Sequence, residues 1–123
     1  MLKRIRLELA RDAEFPKGSA RHGYEFVAPL REDGHIDTDR FASVKDRCRV
    51  VRFWGDEEHE TGHLVRRGAS GFAFHYKEAG DVHVEDEAGY RFTSHSFRPG
   101  EYVSIKEDDD ELRTFRVARV LDA

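Results

Sequence analysis

Apolar and polar side chains alternate with period two over most of this chain. Ile5, Leu7 and Leu9 interleave with Arg4, Arg6 and Glu8, the pattern of a strand with one buried face and a charged outer row. Tyr24, Phe26, Ala28 and Leu30 interleave with Glu25 and Val27, and Pro29 confines this second strand to an edge or an end. Arg49–Trp54 and His63–Arg67 predict a third and a fourth strand. Phe72, Phe74 and Tyr76 alternate with Ala73, His75 and Lys77 in a fifth, and Tyr90–His95 predicts a sixth. Further on, Val103 and Ile105 oppose Tyr102, Ser104 and Lys106. In the last strand Arg113, Phe115, Val117, Arg119 and Leu121 oppose Leu112, Thr114, Arg116, Ala118 and Val120, with apolar side chains on both faces near its end.

The stretches between these runs are polar. Arg11–His22 reads as a loop, Arg31–Gly34 and Gly68–Gly71 as turns, and Glu78–Gly89 as an acidic loop. Pro99-Gly100 suits a type II turn, with Pro presetting the first φ and Gly supplying the positive second one. Glu107–Glu111 sets five carboxylates side by side, and their mutual repulsion predicts a solvated turn.

One segment departs from period two. Phe41, Val44 and Cys48 fall on a single helical stripe, Asp37 stands at an N-cap position, and Ile36 and Phe41 have the spacing of a hydrophobic staple. Asp39 and Lys45 suit the two ends of a helix dipole. The spacing predicts a helix over about residues 38–46, short enough that it must dock on a sheet to be stable. These elements together predict a mainly β fold: a compact antiparallel barrel or sandwich of about seven or eight strands with one short helix.

Composition adds limits. A chain of 123 residues fits one domain, residues 1–123, and buries roughly two thirds of its unfolded surface. Charged residues make up 37% of it and apolar ones 38%, with nine Phe and four Tyr, so the expectation is a folded domain with a strongly charged exterior. A net charge of −4 argues against a general nucleic-acid or membrane binder, whose footprint is basic. Cys48 is the lone cysteine, which fits a reducing compartment. The first dozen residues lack the apolar stretch of a signal peptide, and no apolar run approaches membrane-spanning length. A cytoplasmic protein is expected.

The candidate chemistry lies mid-chain. His59-Glu60-Thr61-Gly62-His63 resembles the H-E-x-x-H signature of zinc metalloproteases. On a helix, the resemblance would make His59 and His63 ligands of one zinc ion and Glu60 the general base acting on its bound water. Asp56 as a cap, Arg66 and Arg67 in a last turn and Gly68 as a stop would frame such a helix, whereas Gly62 in its middle opposes it. The longer metzincin pattern fails, since Arg66 and Ala69 stand where it needs glycine and a third histidine. The competing reading is a charged loop, Gly55–Gly62, between two antiparallel strands. No paired H-x-H of the cupin kind occurs, so His22, His35, His75, His83 and His95 read as ordinary surface or hydrogen-bonded histidines.

A second candidate is a stripe of positive charge. Arg47, Arg49, Arg52, Arg66 and Arg67 on adjacent strands would bind an anionic partner. Phe97–Ile105 resembles a segment of the flavin-binding barrel of ferredoxin-reductase-like enzymes, where a Pro-Gly turn also opens a strand. Here the nearest echo of that family's R-x-Y-[ST] motif, Arg91-Phe92-Thr93-Ser94, precedes the segment instead of following it, so what is shared is a turn and a strand. No catalytic set or cofactor is assigned. The expectation is a non-enzymatic module that binds a protein or small ligand through its barrel face or loops, with a zinc hydrolase on His59, Glu60 and His63 as the alternative.

Overall fold

A computed structural model of the chain describes residues 1–67, 71–77, 80–84, 95–107, 109 and 111–123. Among these the chain is mainly β. Eight antiparallel strands follow one another: β1 (Leu2–Leu9), β2 (Ser19–Pro29), β3 (Arg49–Trp54), β4 (Glu60–Arg67), β5 (Gly71–Tyr76), β6 (Gly80–Val84), β7 (Tyr102–Lys106) and β8 (Leu112–Asp122). Each pairs with the next, and β8 pairs back onto β1, so the sheet closes as an up-and-down barrel, not a sandwich. Closure leaves β1 without a free edge. Among the described residues the β6–β7 ladder pairs His83 with Lys106 and Val84 with Ile105.

Period-two alternation sorts the side chains as the sequence predicts. Ile5, Leu7, Tyr24, Phe26, Val50, Phe74, Ile105 and Phe115 are buried inside the barrel, while Arg4, Arg6, Glu25 and Arg49 stand on its outer face. The interior is filled by aromatic rings. Tyr24 and Phe26 lie 5.2 Å and 5.1 Å from Phe74, and Tyr24 meets the edge of Phe115 at 5.2 Å. Such tilted and edge-on contacts are the favoured aromatic geometries.

A helix, α1 (Thr38–Val44), crosses one end of the barrel, and Lys45–Arg47 continue it as a single 3-10 turn. The Asp37 side chain accepts a hydrogen bond from the Arg40 amide at 3.2 Å, the expected N-cap. Phe41, the apolar anchor of α1, meets the Phe72 ring edge-on at 5.1 Å, and Ile36 is buried beside it.

Four expectations need correction. β2 starts at Ser19, inside the predicted Arg11–His22 loop. Gly80–Val84 is a strand, where an acidic loop is predicted. In β8 the register on β1 shifts between Arg6, opposite Arg119, and Leu7, opposite Val117. Ala118 is the extra residue of this bulge, so the alternation changes phase: Val120 packs against the core and Leu121 is exposed. Glu107, assigned to a solvated acidic turn, is buried. The predicted Tyr90–His95 strand and Gly68–Gly71 turn fall largely outside the described residues; His95 itself lies outside the strands. No described helix is long and apolar enough to cross a membrane.

Candidate anion-binding site

The five arginines of the predicted stripe do not form one surface. Arg52 follows Val50 in phase and points into the barrel, at the end opposite α1. There it meets the buried Glu107: Nε donates to Oε2 at 3.2 Å and Nη2 to Oε1 at 3.4 Å. Arg113 from β8 brings its Nε within 3.3 Å of Oε1 of the same carboxylate. The Tyr24 hydroxyl donates to Glu107 as well. Both guanidinium groups lie over the Trp54 ring, Arg52 at 4.3 Å and Arg113 at 5.2 Å from its centroid.

Electrostatics follow from this enclosure. Burial disfavours the charged form of Arg52, but the hydrogen bonds and charge of Glu107 more than offset it, so its pKa lies above the ordinary arginine value. Burial, and then the Glu107 charge, push the Tyr24 phenol well above its ordinary range. The cluster closes the barrel end, and Arg113 reaches beyond it to Asp12 at 3.3 Å and Glu111 at 3.0 Å. One sequence signal marks it: Glu107 continues the inward phase of Val103 and Ile105, and Arg113 shares the phase of Phe115 and Val117.

Arg47 and Arg49 take a different place. Arg47 ends the 3-10 turn and Arg49 opens β3 on the outer face, and both are exposed. They line a groove of about 710 Å³ on the outside of β1, β2 and β3, together with Arg4, Arg6, Arg21 and His59. Its floor is Val27, Val51 and Phe53. The register places Arg4 beside Val27, Arg6 beside Glu25, and Glu25 beside Val51. Phe53 fits there because its outer-face neighbour is Gly23; a Cβ on Gly23 would lie 3.1 Å from the Phe53 ring. The Arg6 guanidinium covers that ring at 4.3 Å.

The charges in the groove are unevenly matched. Arg6 pairs with Glu8 at 2.7 Å and approaches Glu25 at 3.6 Å. Arg21 pairs with Asp56 at 2.5 Å. Among the described residues Arg4, Arg47 and Arg49 enter no ion pair, although the chain carries 25 acidic residues to 21 basic ones. These three arginines line the same end of the groove without an ion pair among the described residues. No local run of charge marks Arg4, Arg6 and Arg21, because the barrel brings them to β3 from strands far away in sequence. Arg66 and Arg67 lie apart, on β4; Arg66 reaches over the Phe72 ring at 5.7 Å, at the α1 end.

The helix that the zinc reading of residues 59–63 requires does not form. His59 ends a loop, 6.5 Å from the Phe53 ring, and Glu60–His63 are the first residues of β4. A strand rises about 3.3 Å per residue, so positions four apart are separated by roughly 13 Å and do not converge on one ion. Alternation also sends Glu60, paired with Arg52, to the face opposite His63, which is paired with Arg49. Among the described residues no group of three or more His, Cys, Asp or Glu side chains is arranged to hold a metal. Gly62 has a packing role: a Cβ there would lie 2.1 Å from the His75 carbonyl oxygen and 3.0 Å from Cδ1 of Tyr76.

Two further groups are accounted for by their surroundings. Cys48 is buried, its thiol pushed up to about 11 by burial, so it is protonated and unreactive at neutral pH. His22 is held between Phe15 and Trp54, with Nδ1 2.6 Å from the Ser19 hydroxyl. Compared with models of protein families, with curated proteins and with solved structures, the chain matches none of them.

Proposed function

We propose that this chain is a non-enzymatic, cytoplasmic binding module that takes an anionic ligand in the groove on β1, β2 and β3. The observation that carries the reading is that one groove of an acidic protein gathers Arg4, Arg47 and Arg49, none of which enters an ion pair among the described residues. An exposed ion pair is worth little across water, so what marks these three arginines is that one groove gathers them. A concave site that withholds three guanidinium groups from such pairing is suited to an incoming carboxylate or phosphate, which guanidinium recognises in bidentate fashion. The filled interior favours the same place, since the aromatic core leaves the outer face as the surface on offer. The buried, protonated Cys48 is consistent with a reducing compartment.

Titration calorimetry with phenyl phosphate tests this. Saturable binding is expected, weakened about tenfold or more in an Arg4→Gln, Arg49→Gln double variant of unchanged melting temperature. Equal affinity in the double variant, no binding by the parent protein, or catalytic turnover that survives purification to homogeneity would each overturn it.

A further inference from the structure

We infer that the ligand of this groove is a soluble amphiphile with a single anionic head, its head at Arg4, Arg47 and Arg49 and its apolar body along Val27, Val51 and Phe53. This rests on the proposed anion-binding function and narrows it.

The groove is not uniform along its length. From Arg49 to Phe53 it follows β3 for four residues, about 13 Å at the rise of a strand. The unpaired cations stand at the Arg49 end. Midway lies Glu25, whose carboxylate is 3.6 Å from Arg6 and 3.9 Å from Arg119. At the far end Arg21 is already neutralised by Asp56. A polyanion laid along the groove would meet free cations at one end only, and a carboxylate at its middle. Like-charge contact of that kind selects against a nucleic-acid strand or a polyphosphate. A ligand with one charged end avoids it.

The rest of the ligand is specified by the floor. Val27 and Val51 are half-buried β-branched side chains on an outer face whose other members are mostly charged. The Phe53 ring is buried beneath the Arg6 guanidinium and ends the floor, so the open apolar area is that of Val27 and Val51. Apolar area left open next to a cationic head site is matched by an apolar body attached to the anion. A free molecule fits better than a bilayer: the site is concave, and a net charge of −4 is repelled by an anionic membrane surface.

Titration with inorganic phosphate and with butyl, hexyl and octyl phosphate, each below its micellar concentration, tests the inference. Affinity is expected to rise about two- to fourfold per methylene, the upper figure being full burial, and to level off once the chain spans the floor. A Val27→Ser, Val51→Ser variant should keep phosphate affinity and lose most of the chain-length increment. Methyl resonances of Val27 and Val51 should shift with octyl phosphate and not with phosphate alone. Equal affinity across the series overturns the amphiphile and leaves the anion site standing, whereas no binding of any member removes both. An increment that persists unchanged in the valine variant overturns the placement of the body. Vesicles containing phosphatidic acid, binding more tightly than octyl phosphate at equal exposed headgroup concentration, would overturn the soluble ligand in favour of a membrane.

Discussion

The Tyr24 hydroxyl donates a hydrogen bond to Glu107 across 83 positions of sequence, and through that carboxylate the second strand is tied to the turn before the last. Glu107 also receives Arg52 from β3 and the approach of Arg113 from β8. Its side chain is 3% exposed and that of Arg52 is 16% exposed, so the pair is nearly closed to water. A buried charge of this kind is tolerated only while its partners stay in place.

Glu107→Gln is therefore expected to destabilise the protein by about 3 kcal/mol, because it leaves the desolvated Arg52 guanidinium without its carboxylate and takes one of three from Arg113. Glu111→Gln, four residues away, removes a partner of Arg113 that is 64% exposed and should change stability by less than about 0.5 kcal/mol. Urea unfolding followed by Trp54 fluorescence reads both. Equal effects of the two substitutions would show that the cluster does not hold the barrel end.

The contrast between these two glutamates explains what the sequence discloses. Strand existence is legible because alternation is local, as in Ile5, Leu7 and Leu9, and the helix is legible because Asp37 and the Ile36–Phe41 spacing are local too. Glu107 differs from its acidic neighbours only in phase, and its partners arrive from three other strands. The Ala118 bulge is likewise invisible in the pattern, since a register shift depends on the facing strand. The groove fails to show for the same reason: Arg4 and Arg49 become neighbours only once β2 lies between their strands.

Gly62 offers a test of the strand against the helix. In β4 its missing Cβ makes room for the His75 backbone and the Tyr76 ring. Gly62→Ala should cost about 1–3 kcal/mol through this overlap, whereas in a helix the same change would stabilise by up to about 1 kcal/mol. Thermal unfolding gives the sign directly. The exposed Thr61 next to it serves as control, with Thr61→Ala expected within about 0.5 kcal/mol of the parent.

His22 should leave a mark on the pH profile. Burial first, and then the charges of Arg21 and Arg52, lower its pKa below the ordinary 6.5. The folded state thus favours the neutral ring, while the unfolded chain takes up the proton at the ordinary value. Its contribution to stability is full above that value and is lost as pH falls through the lower folded-state pKa. Unfolding free energies measured at intervals from about pH 7 to about pH 5 should fall less steeply in His22→Gln than in the parent. A difference between the two proteins that stays constant over the range would contradict the assignment.

Arg49 and Arg52 stand three residues apart on β3 and belong to one stripe in the sequence, yet the barrel gives them opposite roles. Arg52 is enclosed with Glu107, and Arg52→Gln leaves a buried carboxylate short of a partner, with an expected loss of about 3 kcal/mol. Arg49 is exposed, unpaired, and gathered with Arg4 and Arg47 around one groove. Net charge alone predicts harm from its removal, since the protein is already at −4. Local repulsion among three guanidinium groups predicts the reverse. Arg49→Gln should leave stability unchanged or raise it by up to about 0.5 kcal/mol at low salt. The gain should fade as added salt shortens the Debye length from about 10 Å at 0.1 M towards about 3 Å at 1 M. Urea unfolding of both variants at the two salt concentrations separates the views. A salt-insensitive loss in Arg49→Gln would mean that Arg49 is a structural cation like Arg52, and the groove would lose its claim to be a site.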